Sequence, residues 1–113
     1  MQLSELKCGI CHKGAPTVTI EEQVALLKDI PNWCLIMVNG MLHLQRQYKF
    51  KNFSLGLEFT NHLAIIAEAE DHHPAILTEW GCVTVDWWTH TISGLHHNDF
   101  IMAAKTDQLL NLG

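Results

Sequence analysis

Trp33-Cys-Leu-Ile-Met-Val38-Asn39-Gly40-Met41-Leu-His-Leu-Gln-Arg-Gln-Tyr-Lys-Phe50 is two strand-forming runs joined by a two-residue turn. Asn39-Gly40 favours a tight hairpin because both residues tolerate positive φ. The return run sets Leu42, Leu44 and Arg46 on one face and Met41, His43, Gln45 and Gln47 on the other, an imperfect alternation of period two. A hairpin makes its strands antiparallel, and such sheets often bury one face only.

Upstream, Thr19 followed by Glu22 reads as a capping box opening a first helix. Val24, Leu27 and Ile30 hold helical spacing, and Pro31 stops the run. Downstream, Asn52 or Ser54 caps a long helix to about residue 70, with Leu55, Phe59, Leu63 and Ile66 as its apolar stripe. Ala75–Glu79 is a short strand and Gly81 a turn. Cys82–Thr89 is a strand with Val83, Val85 and Trp87 facing one way and Thr84, Asp86 and Trp88 the other. Ser93-Gly94 breaks it, and Asn98–Leu110 forms a last helix with Ile101, Ala104 and Leu109 roughly on one side. The order α-β-β-α-β-β-α predicts an α+β fold, a four-stranded antiparallel sheet with three helices packed on one face. Residues 1–16 read as an irregular N-terminal arm and residues 17–113 as one domain, which the length of 113 residues favours.

With 7 basic and 12 acidic residues the net charge is −5 when histidines are neutral. That balance disfavours nucleic acid or an anionic membrane as partner. Arg46, Lys49 and Lys51 read as a solvated strand edge. No stretch approaches a transmembrane span, and the opening residues lack the apolar core of a secretory signal. The chain is therefore expected to be cytoplasmic, with Cys8, Cys11, Cys34 and Cys82 as reduced thiols.

Histidine is the outlier: five of the eight fall between His72 and His97. Imidazole changes charge near neutral pH, so such a cluster raises the expectation of proton transfer or metal binding. In Glu68-Ala-Glu-Asp71-His72-His73-Pro74, Glu68 and His72 are four apart and can share a helix face. The negative helix end and the acids favour a protonated imidazole there, while burial opposes it. His90 ends a strand, and Asp99 lies in the first turn of the last helix, where the dipole favours a carboxylate. One rim of the sheet can gather His72, His73, His90, Glu68 and Asp99. Three readings stand on these residues: a polar helix cap, a zinc or iron site, and an acid–base centre. Adjacent histidines are less typical of metal sites than an i, i+4 pair.

The run Glu68…Asp71-His72-His73-Pro74, the strand ending Thr89-His90, and Gly94-Leu95…Asp99 together resemble the pterin-4a-carbinolamine dehydratases. The intervals are 17 positions from His73 to His90 and nine from His90 to Asp99. Trp33 and Tyr48-Lys49-Phe50-Lys51-Asn52-Phe53 also resemble the family. The resemblance covers about residues 17–110, and Leu77-Thr-Glu-Trp-Gly81 is similar to the bacterial branch that accompanies phenylalanine hydroxylase.

The resemblance implies removal of water from a 4a-hydroxytetrahydropterin left by aromatic amino-acid hydroxylases. It implies no metal and no organic cofactor, a homodimer or homotetramer, and a functional link to phenylalanine hydroxylase. It assigns His72 and His90 to acid and base work and His73 to holding the pterin near carbon 4a. Glu68 and Asp99 orient the imidazoles, while Asp71, Trp88, Thr89 and Thr91 line the substrate pocket. Some animal members also act as dimerisation modules for a transcription factor, which keeps a non-catalytic binding role as the alternative beside a metal-dependent one. His96 stands where members often carry Ser or Thr. Histidine caps weakly, so His96 and His97 read as a solvated helix start. Cys8-Gly-Ile-Cys11-His12 matches a c-type haem attachment pattern, but the expected compartment argues against haem, and three ligands fall short of a structural zinc site. Of the tryptophans, Trp80, Trp87 and Trp88 could each stack on a pterin. Trp87 alternates with Val83 and Val85 and reads as core, while Trp88 faces an oligomer partner or the pocket.

Overall fold

Thr19 caps helix α1 (Ile20–Leu27) in the computed structural model, which describes residues 3–6, 17–92 and 94–111. Thr19 Oγ1 accepts from Glu22 N at 3.2 Å, and Glu22 Oε1 accepts from Thr19 N at 3.0 Å. This is the reciprocal pair the sequence predicts. The backbone bond from Thr19, then its side-chain bond, holds the Glu22 carboxyl below its ordinary value. The stripe expected through Val24, Leu27 and Ile30 is broken. Val24 is exposed, Leu26 and Leu27 touch the core, and Ile30 is fully buried. Beyond Leu27 the chain tightens: Lys28 N, Asp29 N and Ile30 N donate to the carbonyls three residues back.

The strands are β1 (Cys34–Val38), β2 (Met41–Lys49), β3 (Ala75–Glu79) and β4 (Cys82–Trp87). They form one antiparallel sheet in the order β1-β2-β4-β3. Asn39 (φ 51°) and Gly40 (φ 80°) make the predicted hairpin turn. The buried face carries Leu44 and Tyr48 from β2 and Val83, Val85 and Trp87 from β4. Fully burying Trp87 contributes about 3 kcal/mol, and its indole N–H donates to Thr106 Oγ1 at 3.1 Å.

Helix α2 (Phe53–Glu70) starts on Asn52, whose Oδ1 accepts from Leu55 N at 2.9 Å. Phe59 and Leu63 lie on its buried line as expected, but Leu55 is 40% exposed and Gly56 and Ala67 are buried instead. A Cβ at Gly56 would stand 3.3 Å from Val83 Cγ2, so the helix approaches the sheet where it has least bulk. Small residues carry little apolar signal, so the true contact line was harder to read. Helix α3 (His97–Gln108) is buried from Asn98 to Ala104. Leu26 and Leu27 of α1 join the same core.

Arg46 is not on a solvated edge. β2 is an inner strand, and Arg46 points to the helix side, where NH1 lies 2.7 Å from Asp107 Oδ1. Asp107 also accepts from Trp33 Nε1 at 3.0 Å and from the Tyr48 hydroxyl. Within the expected arm, Leu3–Glu5 forms one 3-10 turn with Leu3 buried, and Lys105 Nζ donates to Ser4 O at 3.0 Å. Residues 7–16, with Cys8, Cys11 and His12, and the expected breaker Ser93 lie outside the described residues. Among the described residues no helix is long and apolar enough to cross a membrane.

Burial, then the hydrogen bond to Asp107, pushes the Tyr48 hydroxyl far above its ordinary value of 10. The unfolded chain ionises first. Tyr48's contribution to stability is therefore complete below pH 10 and lost as pH rises beyond it. Tyr48 is the one tyrosine in the chain, so ultraviolet phenolate absorbance should rise only with unfolding, followed by circular dichroism on the same samples. A reversible step near pH 10 in folded protein would contradict this.

Candidate active site

The end of α2 decides where the adjacent histidines go. Asp71 caps it in the left-handed region (φ 49°, ψ 43°), a conformation that aspartate tolerates better than most residues. His72 N then bonds back to Ala67 O at 3.1 Å. The reversal buries His72 and leaves His73 exposed. Glu68 consequently does not pair with His72 as helical spacing predicts. The helix has already ended, and Glu68 Oε1 lies 3.3 Å from His73 Nε2 instead, at the surface.

His72 turns inward to Asp99, which is fully buried. Its Nε2 lies 2.6 Å from Asp99 Oδ1. Thr89 Oγ1 and His96 N both donate to Oδ2, at 2.7 and 2.9 Å. A carboxylate only accepts, so His72 carries its proton on Nε2 in this contact and Nδ1 is left for other work. The His72 ring stacks on Trp87, with centroids 5.6 Å apart and planes 5° from parallel.

His96 is not a solvated start. It is half-buried and caps α3 through Nδ1, which accepts from Asn98 N at 3.0 Å. An unprotonated imidazole nitrogen can accept as a serine oxygen does, and Asp99 returns the bond to His96 N, so the capping box survives the substitution. Asp99 is thereby placed firmly.

His90 opens a single 3-10 turn, His90–Ile92, just beyond β4. A bridge between Thr89 and Gly94 ties that loop's base. Trp88 meets the His90 ring edge-on at 4.6 Å. His72, His73 and His90 line one cavity of about 250 Å³ together with Asp71, Trp88, Thr89 and Thr91. Asp99 stands buried behind that lining, and Glu68 meets His73 at the surface beside it. Trp80 is exposed at the β3–β4 turn and takes no part. A larger cavity of about 600 Å³ beside α1 and α3 carries Lys28, Asp29 and Asp107 but, among the described residues, no histidine. Among the described residues no three His, Cys, Asp or Glu side chains converge as metal ligands.

Sequence reading missed one pair near the site, His43 Nδ1 and Asp86 Oδ2, 2.8 Å apart. Both residues were assigned to outward faces, but nothing in the sequence aligns β2 with β4.

The family model for pterin 4 alpha carbinolamine dehydratase matches residues 16–109. The chain belongs to the pterin-4a-carbinolamine dehydratase family. As a dehydratase it is a hydro-lyase. Its structure is similar to the crystal structure of a transcriptional coactivator/pterin dehydratase from Brucella melitensis. The two share 31% identity at a TM-score of 0.74, over 83% of this chain and 98% of that one.

Three donors converge on Asp99, and an asparagine there would turn its amide hydrogens toward at least one of them. Asp99→Asn should cost about 3 kcal/mol in urea unfolding, as expected when buried donors lose a charged acceptor. A loss below about 1 kcal/mol, the worth of an ordinary hydrogen bond, would contradict this.

Proposed function

We propose that this dehydratase acts on the 4a-hydroxytetrahydropterin produced by aromatic amino-acid hydroxylases, and that histidine acid–base catalysis releases water and the quinonoid dihydropterin. One observation carries the reading: three imidazoles line a single cavity of about 250 Å³. That volume falls just below the usual range of ligand sites, which run from roughly 300 Å³ upward, and would suit a ligand as small as one bicyclic ring.

The reaction breaks the bond from carbon 4a to its hydroxyl oxygen. The leaving oxygen takes a proton and departs as water. A ring nitrogen gives up a proton, and its electron pair forms the new double bond to carbon 4a. One group must therefore give a proton and another take one, which two imidazoles of opposite protonation state can do. In this reading His72 and His90 share those roles, and His73 holds the pterin near carbon 4a. Asp99 fixes which nitrogen of His72 is free, and Glu68 steadies His73. Asp71, Trp88, Thr89 and Thr91 contact the ring system. No metal or organic cofactor is required.

The same reading includes a cytoplasmic setting beside a phenylalanine hydroxylase and a homodimer or homotetramer. Leu57 and Ile65 on α2 are 43% and 66% exposed, apolar surface that self-association would cover. Light scattering should give two or four copies. A monomer would remove that part of the reading.

Stopped-flow mixing with freshly made hydroxypterin should show accelerated dehydration, unchanged by chelator. His73→Ala and His90→Ala should each lower turnover about 10²-fold or more, the usual size of an acid–base contribution, while remaining folded. Full activity in both would end the histidine mechanism, and abolition by chelator would favour a metal. No acceleration by the native protein would favour the binding role suggested by the coactivator half of the Brucella protein's name.

A further inference from the structure

The sheet face turned away from the helices carries a polar cluster that the chemistry above does not use. β2 and β4 pair Leu44 with Trp87. One step further along each strand brings His43 and Trp88 together on that outer face. Their rings stack, with centroids 4.0 Å apart and planes 5° from parallel. His43 Nδ1 donates to Asp86 Oδ2 at 2.8 Å, and Asp86 Oδ1 accepts from Gln45 Nε2 at 3.0 Å. The Asp86 carboxylate therefore fixes the plane of the imidazole, and the imidazole fixes the plane of the indole. His43 is 95% buried although it lies on the open face, since its exposure is 5%. Among the described residues its Nε2 has no hydrogen-bond partner, and neither does Trp88 Nε1. What holds the pair in place is the stack together with the His43–Asp86 bond.

The three site histidines are held by different means. His72 is tied to Asp99 and His73 to Glu68. Among the described residues no hydrogen bond holds the His90 imidazole, and Trp88 is its ring contact. His90 and Trp88 both line the cavity. The chain of contacts Gln45–Asp86–His43–Trp88–His90 thus runs from the middle of the sheet to the cavity wall.

We propose that His43 and Asp86 are positioning residues for the dehydration, holding the His90 imidazole in place through Trp88. The proposal rests on the dehydratase mechanism above for its effect on rate, but its structural half stands without substrate. The test pairs stopped-flow dehydration with the carbon–proton NMR resonances of the His90 ring, assigned by their loss in His90→Gln. Trp88 lies close enough to His90 for its ring current to mark their geometry. In His43→Ala the His90 signals should shift and broaden. The kcat should fall about tenfold, with a smaller change in KM, inside the roughly 10²-fold cost of a 1 Å misplacement. Asp86→Asn is nearly isosteric but cannot accept both bonds, so it should show the same changes to a smaller degree. It carries the test if His43→Ala does not fold. Thr84→Ala, on the same outer face but outside the cluster, should leave both readouts unchanged.

Unmoved His90 signals and native kcat in a folded variant would overturn the proposal while leaving the dehydratase reading intact. So would a loss confined to KM. If the native protein fails to dehydrate the hydroxypterin, that reading falls, and the His90 signals alone then decide the positioning claim.

Discussion

The buried carboxylate of Asp99 joins three parts of the chain that are distant in sequence or belong to different elements. It accepts from His72 at the end of α2, from Thr89 beyond β4, and from the backbone of His96 at the start of α3. Taking a carboxylate wholly out of water costs several kcal/mol, and only well-aimed donors offset it. That demand allows little slack: if any of the three segments drifts, a charge is left buried without a partner. Two residues of the cavity wall, His72 and Thr89, are fastened to this one carboxylate. The stack of His72 on Trp87 adds a second constraint, since Trp87 is anchored in turn to Thr106 of α3.

Much of this was legible in the sequence because local chemistry and global packing agree. The Asn39-Gly40 turn, the Thr19–Glu22 box and the alternation of Val83, Val85 and Trp87 each state a local preference that the fold obeys. The misreadings have a common cause. Val24 and Leu55 were placed on buried faces by ideal helical periodicity, whereas the core-facing lines run through Leu27 and Ile30 in one case and through Gly56, Phe59, Leu63 and Ala67 in the other. Arg46 was read by its charge alone, but an inner strand sent it to Asp107.

At the site, spacing along the chain grouped the correct residues but misjudged which would touch. Glu68 was matched to His72 on the assumption that the helix continued. Asp71 turns left-handed, and the pairing moves on by one residue to His73. His96 was set aside because histidine is a weak cap by rank. The mechanism of capping asks only for an acceptor near the first turn, and a neutral imidazole has one. The His43–Asp86 contact lay beyond reach for another reason. It depends on the register between β2 and β4, which are separated by α2 and β3.

Trp87 and Trp88 show how one strand end serves two layers. Successive residues of a strand point to opposite faces, so the paired tryptophans are driven apart, one into the core and one onto the open sheet. Each then meets a different site histidine: Trp87 stacks on His72, and Trp88 meets the edge of His90. The cavity sits where β4 runs out, the place at which side chains from both faces can reach the same space. A site built entirely on the helix side would need its proton-handling groups buried together, with each charge paired inside the core. Here His72 is held within the core while His73 and His90 remain exposed. Such an arrangement keeps one imidazole fixed in a dry setting and leaves the other two open to exchange protons with solvent. On the proposed histidine mechanism, that asymmetry suits a reaction that delivers a proton at one atom, collects one at another, and releases water between them.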